Sequence, residues 1–384
     1  MTSLELLFWI SAAIFAYSYV GYPLLLAVVA GLRPSPAVRS SPITPSLTVL
    51  MVVHNESAAL ERKLRNCLGL DYPPEALDLL IVSDGSSDGT EAVAARYADQ
   101  GVRVLPLPGP RGKAACIAEA LGHCRGEVVV LCDVRQEIER GALRALVADL
   151  ADPTVGAVSG ELLLRDGGQS AGGSGLSTYW SYEKTVRRLE SRIDSVVGAT
   201  GALYAIRRTL LRPLDPRTIL DDVLIPMEAV LAGYRVVFEP RARAWDIPPD
   251  RSVHEFRRKV RTLAGNFQLL ELRPALANPR RNRLWWQLVS HKLSRLAVPW
   301  CLLLALTVSV VLARRGSVLH AFVVASIAAL GGLALGGLWV GRRRRASALL
   351  SIPYAFALLN LAAIVALFGF ISGSQRAAWR ASRP

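Results

Sequence analysis

The sequence predicts an α/β domain with a mostly parallel sheet, flanked by helices that cross a membrane. Three observations carry this. From Leu47 onward, short apolar runs alternate with amphipathic stretches, the pattern of buried parallel strands with crossover helices. Two acids, Asp84 and Asp133, close such runs, where ligands meet open α/β sheets. Long, nearly uncharged segments bracket this region. Of the 384 residues, 52% are hydrophobic. The mean hydropathy of +0.32 is too high for an ordinary soluble enzyme.

The first element, Leu4 to Ala30, carries only Glu5 and is long enough to span the hydrocarbon core. Its start, MTSLE, lacks the basic residues of a signal peptide. Arg33 and Arg39 follow the apolar run, which places the N-terminus outside and the next domain in the cytoplasm. A Pro/Ser-rich linker follows, PSPAVRSSPITP. The strands expected next are LTVLMVV, LDLLIVS, VRVLPL, EVVVLC and VGAVSG. Helices over 56–68, 87–98, 113–123 and 137–150 alternate with them. RDGGQSAGGSG reads as a linker or surface loop before an amphipathic helix over 176–195. VVGATGALYAIRR reads as a turn and short strand, followed by a helix over 218–231 and the strand YRVVFEP. Basic residues mixed with Trp285 and Trp286 suit an interfacial helix over 280–300. Three spans complete the series, at 296–313, 318–340 and 348–371. The RRRR run at 342–345 belongs in the cytoplasm, whereas Arg314, Arg315 and the basic tail then fall outside.

The formal charge of +14 concentrates beside apolar segments. That favours lipid contact over nucleic acid as its cause. The five cysteines form no CxxC pair, and the five histidines have no zinc spacing. Free buried thiols in a reducing compartment are expected. No GxxxxGK[ST] loop and no GxGxxG after the first strand occur, which argues against P-loop hydrolysis and dinucleotide redox chemistry.

Five segments carry candidate chemistry. In VVHNE, Asn55 and Glu56 stand where a strand gives way to a helix, a place for polar ligand groups or for simple caps. In DGSSDGT, Asp84 can accept hydrogen bonds from a base or ribose, Gly85 permits a tight turn, and Asp88 can cap a helix. Arg111 and Lys113 open a helix where they can meet phosphates. In TILDDVLIP, Asp221 and Asp222 begin a helix whose dipole should keep them ionised. Such a carboxylate can deprotonate a sugar hydroxyl. In FRRKVRTLAGNFQ, Arg258 and Arg261 share a helix face suited either to a diphosphate or to a membrane surface.

Taken together, VVHNE, DGSSDGT, RGKAACIAEALG, LCDVR, GATGALYAIRR and LDDVLIP resemble the membrane-bound family 2 glycosyltransferases, the group of cellulose, hyaluronan and poly-N-acetylglucosamine synthase-like enzymes. The resemblance covers roughly residues 47–300. It implies a GT-A catalytic domain, a nucleoside diphosphate sugar donor, UDP being favoured, and inversion at the anomeric carbon. By this resemblance Asp84 contacts the nucleotide, Lys113 lies beside it, and Asp133 is the first acid of a DxD metal motif. Asp222 is the general base, with Asp221 in place of its usual Glu neighbour. Arg261 matches the Arg of a QxxRW signature, and Arg258 stands at its Gln. Three departures stand out: Arg135 replaces the second acid of the DxD, Thr262 the Trp of QxxRW, and His54 a usual Tyr. Mg²⁺ or Mn²⁺ is expected, held by Asp133, phosphate oxygens and water, with Arg135 as an alternative source of positive charge.

The resulting division is an N-terminal transmembrane helix (1–33), a linker (34–46), a catalytic domain (47–264), an amphipathic region (265–295), three transmembrane helices (296–371) and a basic tail (372–384). The expected acceptor is a polysaccharide or lipid-linked glycan at the cell membrane, with export or polymerisation proteins as partners. Single-sugar addition and an inactive membrane scaffold are the alternatives.

Overall fold

The computed structural model describes residues 2–32, 37–165, 173–247, 252–341 and 347–373. The RRRR run and the tail after Gly373 lie outside the described residues, as do most of RDGGQSAGGSG and the start of the Pro/Ser linker. Eight strands form one sheet: β1 (Leu47–Val53), β2 (Leu77–Asp84), β3 (Val102–Leu107), β4 (Val128–Cys132), β5 (Glu137–Ile138), β6 (Val155–Leu164), β7 (Leu203–Arg207) and β8 (Arg235–Asp246). Their order is β3-β2-β1-β4-β7-β6-β8-β5. The β3-β2-β1-β4 half is parallel. β7 runs antiparallel to β4 and β6, while β6 and β8 are parallel. This is a GT-A-like fold with a mixed, mostly parallel sheet.

The apolar runs explain the core. All seven residues of β1 and all five of β4 are buried, because helices cover both faces of the parallel half. Alternate residues feed two clusters, one on each face: Leu50, Val52, Leu80 and Leu131 on one, Val49, Met51, Ile81 and Val130 on the other. Four cysteines are buried and free, as their apolar settings suggest.

Two expected helices are revised. The segment 137–150 is not one helix: Glu137 and Ile138 pair with Trp245 and Ala244 of β8, and the helix begins at Ala142. Tertiary pairing outweighs local propensity there. The segment 87–98 shortens to Thr90–Ala95, followed by a separate 3₁₀ turn. Asp88 does accept the Thr90 amide at 3.1 Å, but its other oxygen takes the Ser57 amide at 3.0 Å and so ties two helix starts together.

Among the described residues, four helices are long and apolar enough to cross a membrane: Ser3–Leu32, Trp285–Arg314, Val318–Val340 and Ala348–Ile371. The second begins at Trp285, so the expected interfacial stretch is continuous with a span. The helix Ser252–Leu272 rests on the fourth span through Val260, Ala264, Ala362 and Ala366, and Phe267 stacks on Phe370 at 5.8 Å. Small residues allow this close approach. The helix Gly173–Ile193 packs against the first span, where Val186 meets Tyr22 and Leu26. In the first span Pro23 has no amide hydrogen to give the Tyr19 carbonyl. The Tyr182 hydroxyl bonds that carbonyl instead, at 3.2 Å.

Candidate active site

A pocket of about 490 Å³ opens where β1 and β4 end and the helices 173–193, 221–231 and 252–272 converge. It brings together Glu56, Lys113, Asp133, Arg135, Asp221, Asp222, Arg258 and Arg261. Eight of the ten candidate site residues therefore share one cavity. Two other clefts, of about 590 and 510 Å³, lie elsewhere and contain none of them.

Asp84 and Asn55 do not line the pocket. Asp84 is fully buried, and its two oxygens accept the backbone amides of Arg111 at 2.7 Å and Gly112 at 2.8 Å. Its carboxylate holds the 109–112 turn that delivers Lys113. The fit is tight: a Cβ on Gly85 would lie 2.6 Å from the Gly109 backbone. Asn55 adopts a left-handed φ of 54°, and its side-chain oxygen accepts the Ser87 amide at 2.8 Å. It shapes the neighbouring turn.

Lys113 is the hub. Its Nζ lies 3.0 Å from Asp133 and 3.1 Å from Asp221. Burial opposes its charge, but Asp133, Asp221 and Asp222 outweigh that and hold its pKa above the ordinary value. Asp222 behaves differently from the helix-dipole expectation. Burial, reinforced by the Asp221 charge, pushes its pKa up to about 6, with Lys113 opposing the rise. Desolvation and a like charge therefore exceed the helix N-terminus. Glu56 is also raised, chiefly by burial.

The placement of Asp222 follows from local sequence. The helix Asp221–Leu231 contains Pro226, which has no amide hydrogen for the Asp222 carbonyl. That carbonyl takes the Ala199 amide instead, at 2.7 Å, while the Gly201 amide reaches the Asp222 side chain at 3.2 Å. The GATG turn is thus bound to the acid at two points. From the other side, Gln268 accepts the Ile219 amide at 2.9 Å and donates to the Arg217 carbonyl at 2.8 Å.

Arg135, which stands in the DxD position, pairs with Asp246 at 3.3 Å. Gln136 donates to the same carboxylate at 2.9 Å, and buried Lys63 donates to the Gln136 carbonyl at 2.8 Å. Among the described residues the Gln136 side-chain oxygen is buried without a hydrogen-bond partner, and Gln136 lines the pocket. That oxygen and the Asp133 carboxylate are the hard donors Mg²⁺ and Mn²⁺ favour. Among the described residues no three His, Cys, Asp or Glu side chains cluster for a metal. Asp133 and Gln136 are thus the pocket residues whose oxygens could hold such an ion.

Sequence reasoning missed Gln136, Asp246, Tyr179, Trp180, Asn266 and Lys292, all of which line the pocket. Gln136 follows directly on LCDVR, and Asn266 falls two helical turns after Arg258, so periodicity carried a signal for both. Trp180, Asp246 and Lys292 come from elements distant in sequence and left none.

Residues 48–214, which supply β1 to β7, match the family described as Glycosyl transferase family 2. This segment is similar to family 2 glycosyltransferase domains. Poly-beta-1,6-N-acetyl-D-glucosamine synthases of Staphylococcus epidermidis and of Staphylococcus aureus (strain COL) are each 24% identical over 229 residues. The match spans 58% of this chain and 55% of theirs. A solved mannosyltransferase from Pyrobaculum calidifontis, in complex with GDP-Man and Mn²⁺, is 25% identical with a TM-score of 0.75. It matches across 95% of this chain and 99% of its own. The matched segment thus carries Lys113, Asp133 and Arg135. Asp221, Asp222, Arg258 and Arg261 lie beyond the matched segment and reach the pocket from the following helices.

Proposed function

We propose that the chain is an inverting glycosyltransferase. It moves a hexose or N-acetylhexosamine from a nucleoside diphosphate sugar to a lipid-linked or polysaccharide acceptor, with Asp222 as general base. The observation that carries this is a carboxylate with a pKa of about 6, fixed by the Gly201 amide and grouped with Lys113, Asp133 and Asp221. A base poised near neutral pH is what removal of a hydroxyl proton requires.

In this reading the acceptor oxygen attacks the anomeric carbon and its proton passes to Asp222. The bond from that carbon to the diphosphate oxygen breaks, and the electron pair leaves with the diphosphate. Lys113, Arg258 and Arg261 balance the departing charge. Arg135, steered by Asp246, adds to that field. A Mg²⁺ or Mn²⁺ ion held by Asp133 and Gln136 supplies further neutralisation when bound. Asp84 acts on the nucleotide through the turn it holds. The names of the relatives point to N-acetylglucosamine and mannose as sugar classes, and UDP and GDP donors are both to be tried. Lys292, from a span, and the 252–272 helix, resting on another, support an acceptor presented at the bilayer. The domain then faces the cytoplasm, where nucleotide sugars are made.

The test is transfer by purified protein in nanodiscs with UDP-N-acetylglucosamine, UDP-glucose and GDP-mannose, each with membrane lipid extract. Nucleotide release with sugar appearing in lipid or polymer supports the reading. Absence of nucleotide binding and of release from every donor rejects it. Full activity in EDTA rejects the metal, and product mass separates single from repeated addition.

A further inference from the structure

The wall of the pocket formed by the 252–272 helix contains a polar atom without a hydrogen-bond partner among the described residues. Asn266 is 5% exposed and lines the cavity. Among the described residues its side-chain oxygen is buried without a hydrogen-bond partner. Leaving a buried acceptor without a partner is costly, so such a group in a cavity points to a donor supplied by a ligand. The diester oxygens of a sugar diphosphate are only acceptors at neutral pH and cannot satisfy it. A sugar hydroxyl can.

Asn266 is also held rigidly next to the base. A Cβ on the adjacent Gly265 would lie 2.6 Å from the Leu220 side chain, so the 252–272 helix presses directly on the residue preceding Asp221. The 173–193 helix contributes Trp180 and Tyr179 to the same pocket. The Lys259 ammonium lies 5.0 Å from each ring centroid, and burial lowers its pKa against the pull of Glu255. Aromatic faces, a nitrogen donor and an unpartnered oxygen acceptor together meet the two demands of a pyranose: cover for its apolar C–H face and hydrogen bonds for its hydroxyls.

We propose that Trp180 and Asn266 form the acceptor-sugar subsite, the indole covering a pyranose face and the Asn266 oxygen accepting a sugar hydroxyl. The proposal rests on the transferase reading in calling this sugar the acceptor. It makes the terminal unit of the acceptor a neutral sugar rather than a bare phosphate. A pocket built to bond a hydroxyl rejects an analogue lacking it by up to about 10⁴-fold, so Asn266 is a specificity determinant.

The test uses the full chain in nanodiscs, with saturation-transfer NMR of free N-acetylglucosamine, glucose and mannose at millimolar concentration. UDP and GDP affinities are measured in parallel by calorimetry. Sugar signals in the wild type should fall at least fivefold in Trp180→Ala and in Asn266→Leu, which keeps the shape but not the oxygen. They should persist in Asn266→Asp, which keeps the oxygen, and nucleotide affinity should change less than twofold throughout. Wild-type protein that binds nucleotide but no sugar overturns the subsite, as do signals unchanged in Trp180→Ala and Asn266→Leu. Sugar binding that these variants abolish, in a protein that binds neither nucleotide, upholds the subsite and overturns the transferase reading.

Discussion

In the proposed transferase, Asp222 and Lys113 act in opposed ways on one proton. Replacing Asp222 by Asn removes the proposed base and should lower turnover at least about 100-fold while donor affinity stays within twofold. Radiolabel transfer and calorimetry measure the two. In the wild type, kcat/KM should fall as pH drops through about 6, because only the ionised carboxylate accepts the hydroxyl proton. Lys113 favours that ionised form, so Lys113→Met should move the acid limb to higher pH, and an unmoved limb sinks the coupling. The same shift acts on stability with a definite sign. Folding lifts the Asp222 pKa from an ordinary 3.8 to about 6. The ionised form is therefore destabilising above about pH 6, and the penalty disappears below about pH 4. A carboxamide in its place is uncharged at every pH, so thermal melts of Asp222→Asn should exceed the wild type at about pH 8 and converge with it at low pH.

The elements show why some of this was legible in the sequence and some was not. β1 and β4 were readable because strands buried on both faces are continuous apolar runs. The acids at their ends could be placed as soon as the strands were. Glu137 to Leu150 misled because its helix-like pattern lost Glu137 and Ile138 to β8, though Gly141 marked the break. Asp84 was legible as an important acid but not as a latch on the 109–112 turn, because that turn returns from about 25 residues further along the chain. Pro226 was visible, yet its effect depends on the GATG loop arriving to use the freed carbonyl. Pro226→Ala gives Asp222 a helical partner and competes with Ala199. Turnover should drop while the melting temperature holds or rises, and unchanged turnover would count against this loop as the device that positions the base. At Gly198, φ is 85° and an added Cβ would meet Val223 Cα at 3.0 Å. Gly198→Ala should cost about 1–3 kcal/mol of stability, read by denaturant titration, and lower kcat more than donor affinity.

At the level of the whole molecule, a buried polar network joins the membrane helices to the pocket. His291, on the second span, bridges Glu190 at 2.8 Å and Glu183 at 2.9 Å. The Tyr22 hydroxyl, from the first span, donates to Glu190 at 2.6 Å, and Arg295 pairs with Glu183. Burial disfavours charge on both glutamates, but Arg295 and then His291 at Glu183, and His291 at Glu190, reverse that and lower both pKa values. Tyr22→Phe should lower the melting temperature in nanodiscs by an amount matching about 1–3 kcal/mol, the cost of an orphaned buried partner. An unchanged melt would show that the Tyr22–Glu190 bond does not help to hold the first span. Glu183 also lines the pocket, next to Lys292 of the same span as His291. A wall of the reaction chamber is therefore also part of the bilayer-crossing bundle. One helix therefore has two surroundings to satisfy, hydrocarbon along most of its length and the polar pocket at Lys292. Turnover should then respond to how that helix sits in the bilayer, and transfer assays in nanodiscs of different acyl-chain length measure this.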